Sequence, residues 1–337
     1  MYQKVFVTGA SGYIARHILA LLIEQGVAVR GSVRSSAKAE ETRTAIEAYL
    51  GRSIPEDQLE FVTLDLTRDD GWDSAFTGCD ALMHTASPFP MTPPKDESAL
   101  IAPAVDGTLR ALKAAKAAGI ERVILTSSIV SIVSQFPILE SQTFTEADWS
   151  NTDSPVIPAY SKSKTLAERA AWDFVNETGL QMTTINPSMV QGAPIGEDFG
   201  TSVRLIKRIL MGADPMTADL MFEVVSVRDV AAMHVLALFD PATIGQRYIA
   251  SSGPMRLPEM ARLLKQTFPH RKVRTAIAPK WLFGVLALFD RSMKQVKPNL
   301  GTSQYCANAK AKREMGIKFE PPGALIIETG RYVDARL

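Results

Sequence analysis

Short apolar runs alternate along the first half of the chain with longer stretches in which apolar residues recur at helical spacing. Lys4 to Thr8 is one such run; Gly9-Ala10-Ser11-Gly12 follows it, and then Ile14, Ile18, Leu21 and Leu22 mark a helix face. Val27 to Val33 reads as the next strand and Ala37 to Leu50 as the next helix. Leu59 to Leu64, Ala81 to His84 and Arg122 to Ser127 are further buried strands. Between the last two lies a helix from about Ser98 to Ala118, stopped by Gly119. Strands that are apolar at nearly every position suit a sheet covered on both faces. The alternation predicts an α/β protein built on a doubly wound parallel sheet.

The second half loses this regularity. A helix from Ser161 to about Glu177 and a strand from Gln181 to Asn186 finish the main sheet in this reading. Beyond Pro187 come helices punctuated by Pro, Gly and Met, with short strands such as Arg247 to Ala250. The expectation is a cofactor domain over residues 1–186 and a smaller α+β substrate lobe over 187–337, some of whose segments return to the main sheet. No flexible linker parts them, so a cleft between tightly packed lobes is the expected site.

Length and composition then narrow the function. A chain of 337 residues is long enough for two such units. Its 37 Lys plus Arg balance 36 Asp plus Glu, which argues against a protein built to grip nucleic acid or an anionic membrane. Two cysteines, Cys79 and Cys306, make no disulfide framework, and four scattered histidines show no metal-ligand spacing, so no metal is expected. The uncharged stretch Val123 to Leu139 carries six polar side chains and Pro137, and reads as a buried strand with its loop rather than a membrane span. With a strand starting almost at Met1, the expectation is a cytoplasmic protein, monomeric or homodimeric.

Chemistry concentrates at strand ends. Thr8 to Ala15 places Gly9, Gly12 and Ala15 three apart between a strand and a helix. Gly9 permits a tight turn, Gly12 lets backbone approach a pyrophosphate, and Ala15 lets the helix pack close. Helix-terminal N–H groups would then meet the phosphates, with Ser11, Tyr13 and Ile14 completing the contact. After the second strand, where an acid would bond a ribose hydroxyl, this chain has Arg34, with Lys38 a turn later. Those cations suit a 2′-phosphate, hence NADP(H), although solvated surface charges are the plainer reading. Asp65, followed by Leu66, either accepts from an adenine amino group or caps the turn at Thr67.

Tyr160 and Lys164 stand four apart at the start of a helix and share a face. An ammonium there should lower the Tyr160 pKa from about 10, and a phenol so placed can protonate a carbonyl oxygen that receives a hydride. Thr126-Ser127-Ser128 lies at a strand's C-terminal end, where α/β proteins bind ligands, and one of its hydroxyls could hold that carbonyl.

Together, Thr8 to Ala15, Thr126-Ser127-Ser128 and Tyr160 to Lys164 resemble the extended short-chain dehydrogenase/reductase superfamily, whose core is a Rossmann fold. Val29 to Arg34, Pro103 to Thr108, Ile185-Asn186-Pro187-Ser188 and Val227 to Ala231 resemble its dihydroflavonol reductase and cinnamoyl-CoA reductase branch, nearest in pattern to microbial NADPH-dependent aldehyde and ketone reductases. The resemblance implies that Ser128 orients the carbonyl, Tyr160 is the acid, and Lys164 binds the nicotinamide ribose while tuning Tyr160. It also implies cofactor contacts at Thr85, Ala86, Ser87, Thr126, Pro187, Ser188 and Ser202. Val133 stands where flavonoid reductases carry Asn or Asp, and Pro158-Ala159-Tyr160-Ser161 lacks the Trp-Tyr-Cys-Tyr string of cinnamoyl-CoA reductases.

The expected function is NADPH-dependent reduction of a small hydrophobic aldehyde or ketone. Alternatives are a sugar-nucleotide epimerase or dehydratase, and a non-enzymatic NADP-sensing regulator. Phe89, Val133, Met189 and Met221 are candidate substrate-lining residues. Met211, Met216 and Phe222 could line a cleft or simply fill a core. Trp281, Leu282, Phe283, Leu286 and Phe289 form an apolar helical face expected to pack between lobes. His84 reads as a core histidine, and Glu168 and Asp229 as helix-surface or capping charges.

Overall fold

Seven parallel strands form the centre of the molecule in the order β3-β2-β1-β4-β5-β7-β10. They are β1 (Lys4–Thr8), β2 (Ala28–Val33), β3 (Leu59–Thr63), β4 (Ala81–His84), β5 (Arg122–Thr126), β7 (Gln181–Pro187) and β10 (Arg247–Ala250). The computed structural model describes residues 2–87, 96–197, 200–288, 293 and 296–337. Along β1, Val5 and Val7 join one core cluster while Phe6 joins the cluster on the opposite face. In β5, Ile124 faces the first and Val123 and Leu125 the second. Both faces are therefore dry, and the absence of period-two patterning has its physical reason.

The first face is covered by α1 (Tyr13–Glu24), α2 (Ser36–Leu50), α8 (Val227–Phe239) and α11 (Ala309–Met315). The second is covered by α3 (Trp72–Ala75), α4 (Ser98–Ala117) and α6 (Ala159–Thr178). Elements beyond residue 187 thus help to build the main core, and β10 pairs with β7 at the sheet's edge. Apart from it stand a three-stranded sheet of β8 (Met189–Gln191), β9 (Met221–Ser226) and β11 (Gly253–Arg256), and a parallel pair of β6 (Ser141–Phe144) with β12 (Ser303–Cys306). The three-stranded sheet packs with α7 (Thr201–Leu210), α9 (Leu257–Thr267) and α12 (Pro322–Asp334) around Val203, Ile206, Leu264 and Leu325.

Several boundaries differ from the sequence reading. Helix α2 starts at Ser36 because Ser35 caps it, its hydroxyl accepting from the Lys38 N–H. Helix α6 starts at Ala159, after Pro158, so Tyr160 falls in its first turn. The loop expected after β5 contains a single helical turn, α5 (Val130–Val133). Among the described residues no helix is long and apolar enough to cross a membrane. The expected apolar face splits: in α10 (Lys280–Leu286) Phe283 is buried with Leu282 against Met216, Leu220 and Leu300, whereas Trp281 and Leu286 are exposed. Phe289 and Phe89 lie outside the described residues.

Strand order reverses between β1 and β4, and the crevice that opens there holds the loop after β1. Gly9 has φ +65°, and a Cβ on it would lie 2.9 Å from Ala86 Cα. The loop also rests on β2: the Ala10 N–H donates to the Ser32 carbonyl (2.8 Å) and the Gly9 N–H to the Ser32 hydroxyl (3.0 Å). Gly31 makes that approach possible, because its Cβ would fall 2.6 Å from Ala10 Cβ and 3.0 Å from the Phe61 ring. Gly31→Ala should therefore cost about 1–3 kcal/mol by overpacking. A urea titration should show a lower midpoint at unchanged slope; an unchanged midpoint would mean that the loop yields freely.

Candidate active site

The first residues of the site follow from how β1 and β4 end. Thr8 is fully buried, and its hydroxyl accepts from the N–H groups of Thr85 (3.1 Å) and Ala86 (3.1 Å). With both lone pairs taken, its hydrogen goes to His84 Nδ1 at 2.9 Å, which places the imidazole proton on Nε2. Burial pushes the His84 pKa down to about 3, so the ring stays neutral, and Nε2 has no partner among the described residues. His84 is thus a core histidine on one nitrogen only.

Helix α1 begins at Gly12, which offers no side-chain cap, so its first N–H groups stay open toward the groove. Behind them, buried Arg16 donates to the carbonyls of Ser11 (3.1 Å) and Ile195 (3.0 Å) and pairs with Glu41 (2.7 Å). A glycine turn with no room for a Cβ and an uncapped helix end fit a dinucleotide pyrophosphate. Tyr13 contributes its ring to the cleft wall, and its hydroxyl donates to the Gly192 carbonyl at 2.8 Å. Arg34 is exposed just after β2, while Lys38 pairs with Glu41 at 2.7 Å. Of the two readings of Asp65, the turn cap is realised: its Oδ1 accepts from the Thr67 N–H (2.8 Å) and hydroxyl (2.7 Å). Arg34 still acts on that carboxyl, lowering its pKa slightly beyond what Thr67 does.

Across the crevice, Ser128 follows β5 and Tyr160 opens α6. The Ser128 hydroxyl hydrogen-bonds the Tyr160 phenol. Burial pushes the phenol up to about 12, and the hydrogen bond from Ser128 opposes this. The expected depression of Tyr160 by Lys164 is therefore not found in the free protein. Desolvation outweighs the ammonium, whose hydrogen bond goes instead to the Thr126 carbonyl at 3.4 Å. Lys164 is itself buried, which lowers its pKa to about 8, with Glu168 acting upward. Thr126 meets the site only through that carbonyl, because its hydroxyl lies 2.7 Å from His234 Nε2 on the other face.

The cleft itself encloses about 980 Å³. Gly12, Tyr13, Ile14, Thr85, Ser128, Tyr160, Pro187, Ser188 and Ser202 line it, and so do the candidate substrate residues Val133, Met189 and Met221. Phe222, Leu205, Ile138 and Ile157 extend its apolar wall. Met211 is exposed on α7's far end, and Met216 fills a core. The Ser188 hydroxyl is buried without a partner among the described residues, as a group awaiting a ligand would be.

Sequence reasoning missed the groups beneath this floor. Glu168 is 1% exposed, and Asp229 is shielded enough for burial to raise its pKa to about 6, so neither is a plain surface charge. Glu168 pairs with Arg247 (2.7 Å) and accepts from Asn186 (2.9 Å). The signal was available: an arginine and an asparagine within apolar strands must each find a partner. Glu223, also missed, is a buried carboxyl in the cleft wall that accepts from the Ser251 hydroxyl (2.5 Å) and the Cys306 N–H (3.0 Å), and burial raises its pKa.

A doubly wound sheet with a glycine turn at its switch point and a Ser-Tyr-Lys cluster across the crevice defines a dinucleotide-dependent short-chain dehydrogenase/reductase class. The chain belongs to the NAD dependent epimerase/dehydratase family, whose model matches residues 5–250, and within it to the extended short-chain dehydrogenase/reductases. It is 34% identical to the NADPH-dependent methylglyoxal reductase of Saccharomyces cerevisiae over 98% of each chain. With a cinnamoyl-CoA reductase of Medicago truncatula it shares 33% identity over 79% of this chain and 81% of that one. The crystal structure of the yeast methylglyoxal/isovaleraldehyde reductase complexed with NADPH superposes with a TM-score of 0.80 at 28% identity, covering 99% of this chain and 100% of that one.

Thr8 is the post on which both loops of the cofactor groove hang. Thr8→Val keeps its shape but strands two backbone donors, so it should cost about 1–3 kcal/mol, while Thr8→Ser should recover most of that. Thermal denaturation of the two variants checks this; equal stability of Val and Ser at this position would contradict it.

Proposed function

We propose that the protein reduces a hydrophobic aldehyde or ketone to its alcohol with NADPH, using Ser128, Tyr160 and Lys164. The relatives named as NADPH-dependent reductases support the cofactor and the oxidoreductase class. The observation that carries the reading is the half-buried hydroxyl pair: a neutral Tyr160 phenol bonded to Ser128 in the wall of the cleft.

Gly9, Ser11, Gly12, Tyr13 and Ile14 would hold the pyrophosphate, Arg34 and Lys38 the 2′-phosphate, and Asp65 and Leu66 the adenine side. Thr85, Ala86, Ser87, the Thr126 strand end, Pro187, Ser188 and Ser202 would frame the rest, with Lys164 on the nicotinamide ribose. Bound NADPH supplies a hydride to the carbonyl carbon. Ser128 donates a hydrogen bond to the carbonyl oxygen and fixes its direction. Tyr160 gives its phenolic proton to that oxygen as negative charge gathers on it, so a new C–H and a new O–H bond replace the C=O π bond. A phenol with a raised pKa is fully protonated at neutral pH, as a donor must be. The Lys164 ammonium then stabilises the phenolate left behind. Val133, Met189, Met221 and Phe222 would enclose the substrate's apolar part. A sugar nucleotide would need cations for its diphosphate, and among the described lining residues there is no lysine or arginine, which favours the reductase reading over the epimerase one.

Tyr160→Phe should lower turnover about 100-fold or more, the usual worth of a positioned proton donor. Its NADPH affinity, read by fluorescence titration, should change little; near-native turnover would remove Tyr160 from the mechanism. Arg34→Ala should weaken NADPH by about tenfold or more, the scale of one charge-assisted hydrogen bond, and leave NADH nearly untouched. Equal losses for both dinucleotides would make Arg34 structural.

A further inference from the structure

Glu168 stands one turn beyond Lys164 on α6 and reaches neither the cleft nor the surface. Desolvating a carboxylate costs several kcal/mol unless every lone pair finds a donor. Here Oε2 accepts from Ser127 (2.5 Å) and Asn186 (2.9 Å) and lies 2.6 Å from the Ser131 hydroxyl, while Oε1 accepts from Arg247 Nε (2.7 Å). Arg247 Nη1 donates to the carbonyls of Glu146 (2.6 Å) and Asp148 (2.8 Å), its Nη2 to the Ser131 hydroxyl (3.5 Å), and the guanidinium stacks 3.8 Å from the centre of the Trp149 ring.

Packing alone does not account for this arrangement, because apolar residues of similar size often replace a buried ion pair without loss. What distinguishes it is its aim. Ser127 precedes Ser128, and Ser131 closes the turn that Ser128 begins, its N–H donating to the Ser128 carbonyl at 3.0 Å. Asn186, besides bonding Glu168, donates to that same carbonyl at 3.3 Å. The bonds that Ser127, Ser131 and Asn186 make to the carboxylate therefore also constrain the backbone that presents the Ser128 hydroxyl.

We propose that Glu168 is a positioning residue: through its ion pair with Arg247 it fixes the Ser127–Ser131 turn, and through its negative charge it keeps Lys164 an ammonium. This rests on the role given above to Ser128, Tyr160 and Lys164. Around Lys164, α6 contributes Tyr160 and Glu168, β4 contributes His84, β5 the Thr126 carbonyl, and β10 contributes Arg247 behind Glu168. Glu97, before α4, is engaged with Lys162. Tyr160 and His84 are neutral, so Glu168 is the anion that acts on Lys164. Burial already brings Lys164 to about 8; removing the anion lowers it further, and the ammonium is then lost as pH rises through the neutral range.

Glu168→Gln keeps the shape and removes the charge. Competitive acetylation of the cofactor-free protein, followed by mass spectrometry of the Lys164 peptide, should show a titration midpoint about one pH unit below the native one, tenfold in ammonium fraction. In turnover, the ratio of kcat at about pH 6.5 to kcat at about pH 8.5 should rise about sixfold. An unmoved midpoint, with a loss of turnover equal at every pH, overturns the proposal. Should Glu168→Gln not fold, Arg247→Gln removes the cation and donor that hold Glu168 ionised and must likewise move the Lys164 midpoint downward; a rise or no movement is equally fatal. Tyr160→Phe separates the two levels. If that variant stays active, the triad assignment fails. If it is inactive while the Lys164 midpoint ignores Glu168, only the present inference fails.

Discussion

A carboxylate with no access to water persists only where the protein supplies the donors that water would have given. Glu168 meets that condition with groups from four separate places: the turn after β5, the end of β7, the start of β10 and, through Arg247, the loop at Glu146 and Asp148. None of these segments is adjacent in sequence. Pairing with Arg247 thus ties the last strand of the sheet, which arrives late in the chain, to the helix that carries Tyr160 and Lys164.

Burial acts on the two titrating groups above that pair in opposite senses, and both would serve the proposed reduction. It raises the phenol of Tyr160 to about 12, which would keep the proposed proton donor protonated. It lowers Lys164 to about 8, which would leave the ammonium marginal without a counter-charge. A hydride acceptor also needs a dry pocket, in which a few hydrogen bonds act at full strength. Val133, Met189, Met221 and Phe222 give the cleft an apolar stretch of wall, and the hydroxyls of Ser128 and Tyr160 are among the polar groups that line it.

Much of this was legible in the sequence, for identifiable reasons. Strand–helix alternation survives because each β1-type segment is short, apolar and bounded by glycine, and the order of the elements then leaves few topologies. The glycine turn and the Tyr160–Lys164 spacing are local, so a linear reading finds them. Contacts between distant segments were not legible. Nothing near Glu168 announces Arg247, and helical spacing alone made it a surface charge. The sign of the Tyr160 shift was likewise hidden, because proximity in sequence favours Lys164 while the depth of burial is a property of the fold. Gly31 reads as a strand residue until Ala10 is seen lying over it at a distance no side chain could share.

The central claim is that a hydride leaves the cofactor for good and ends on a carbonyl carbon whose oxygen Tyr160 protonates. Turnover of NADPH carrying deuterium at C4 of the reduced nicotinamide, with a hydrophobic aldehyde, tests it most directly. The account predicts one stereochemical series of that label transferred to the carbinol carbon of the alcohol, one deuterium for each cofactor oxidised. Label retained by the cofactor while a substrate is merely isomerised would contradict it.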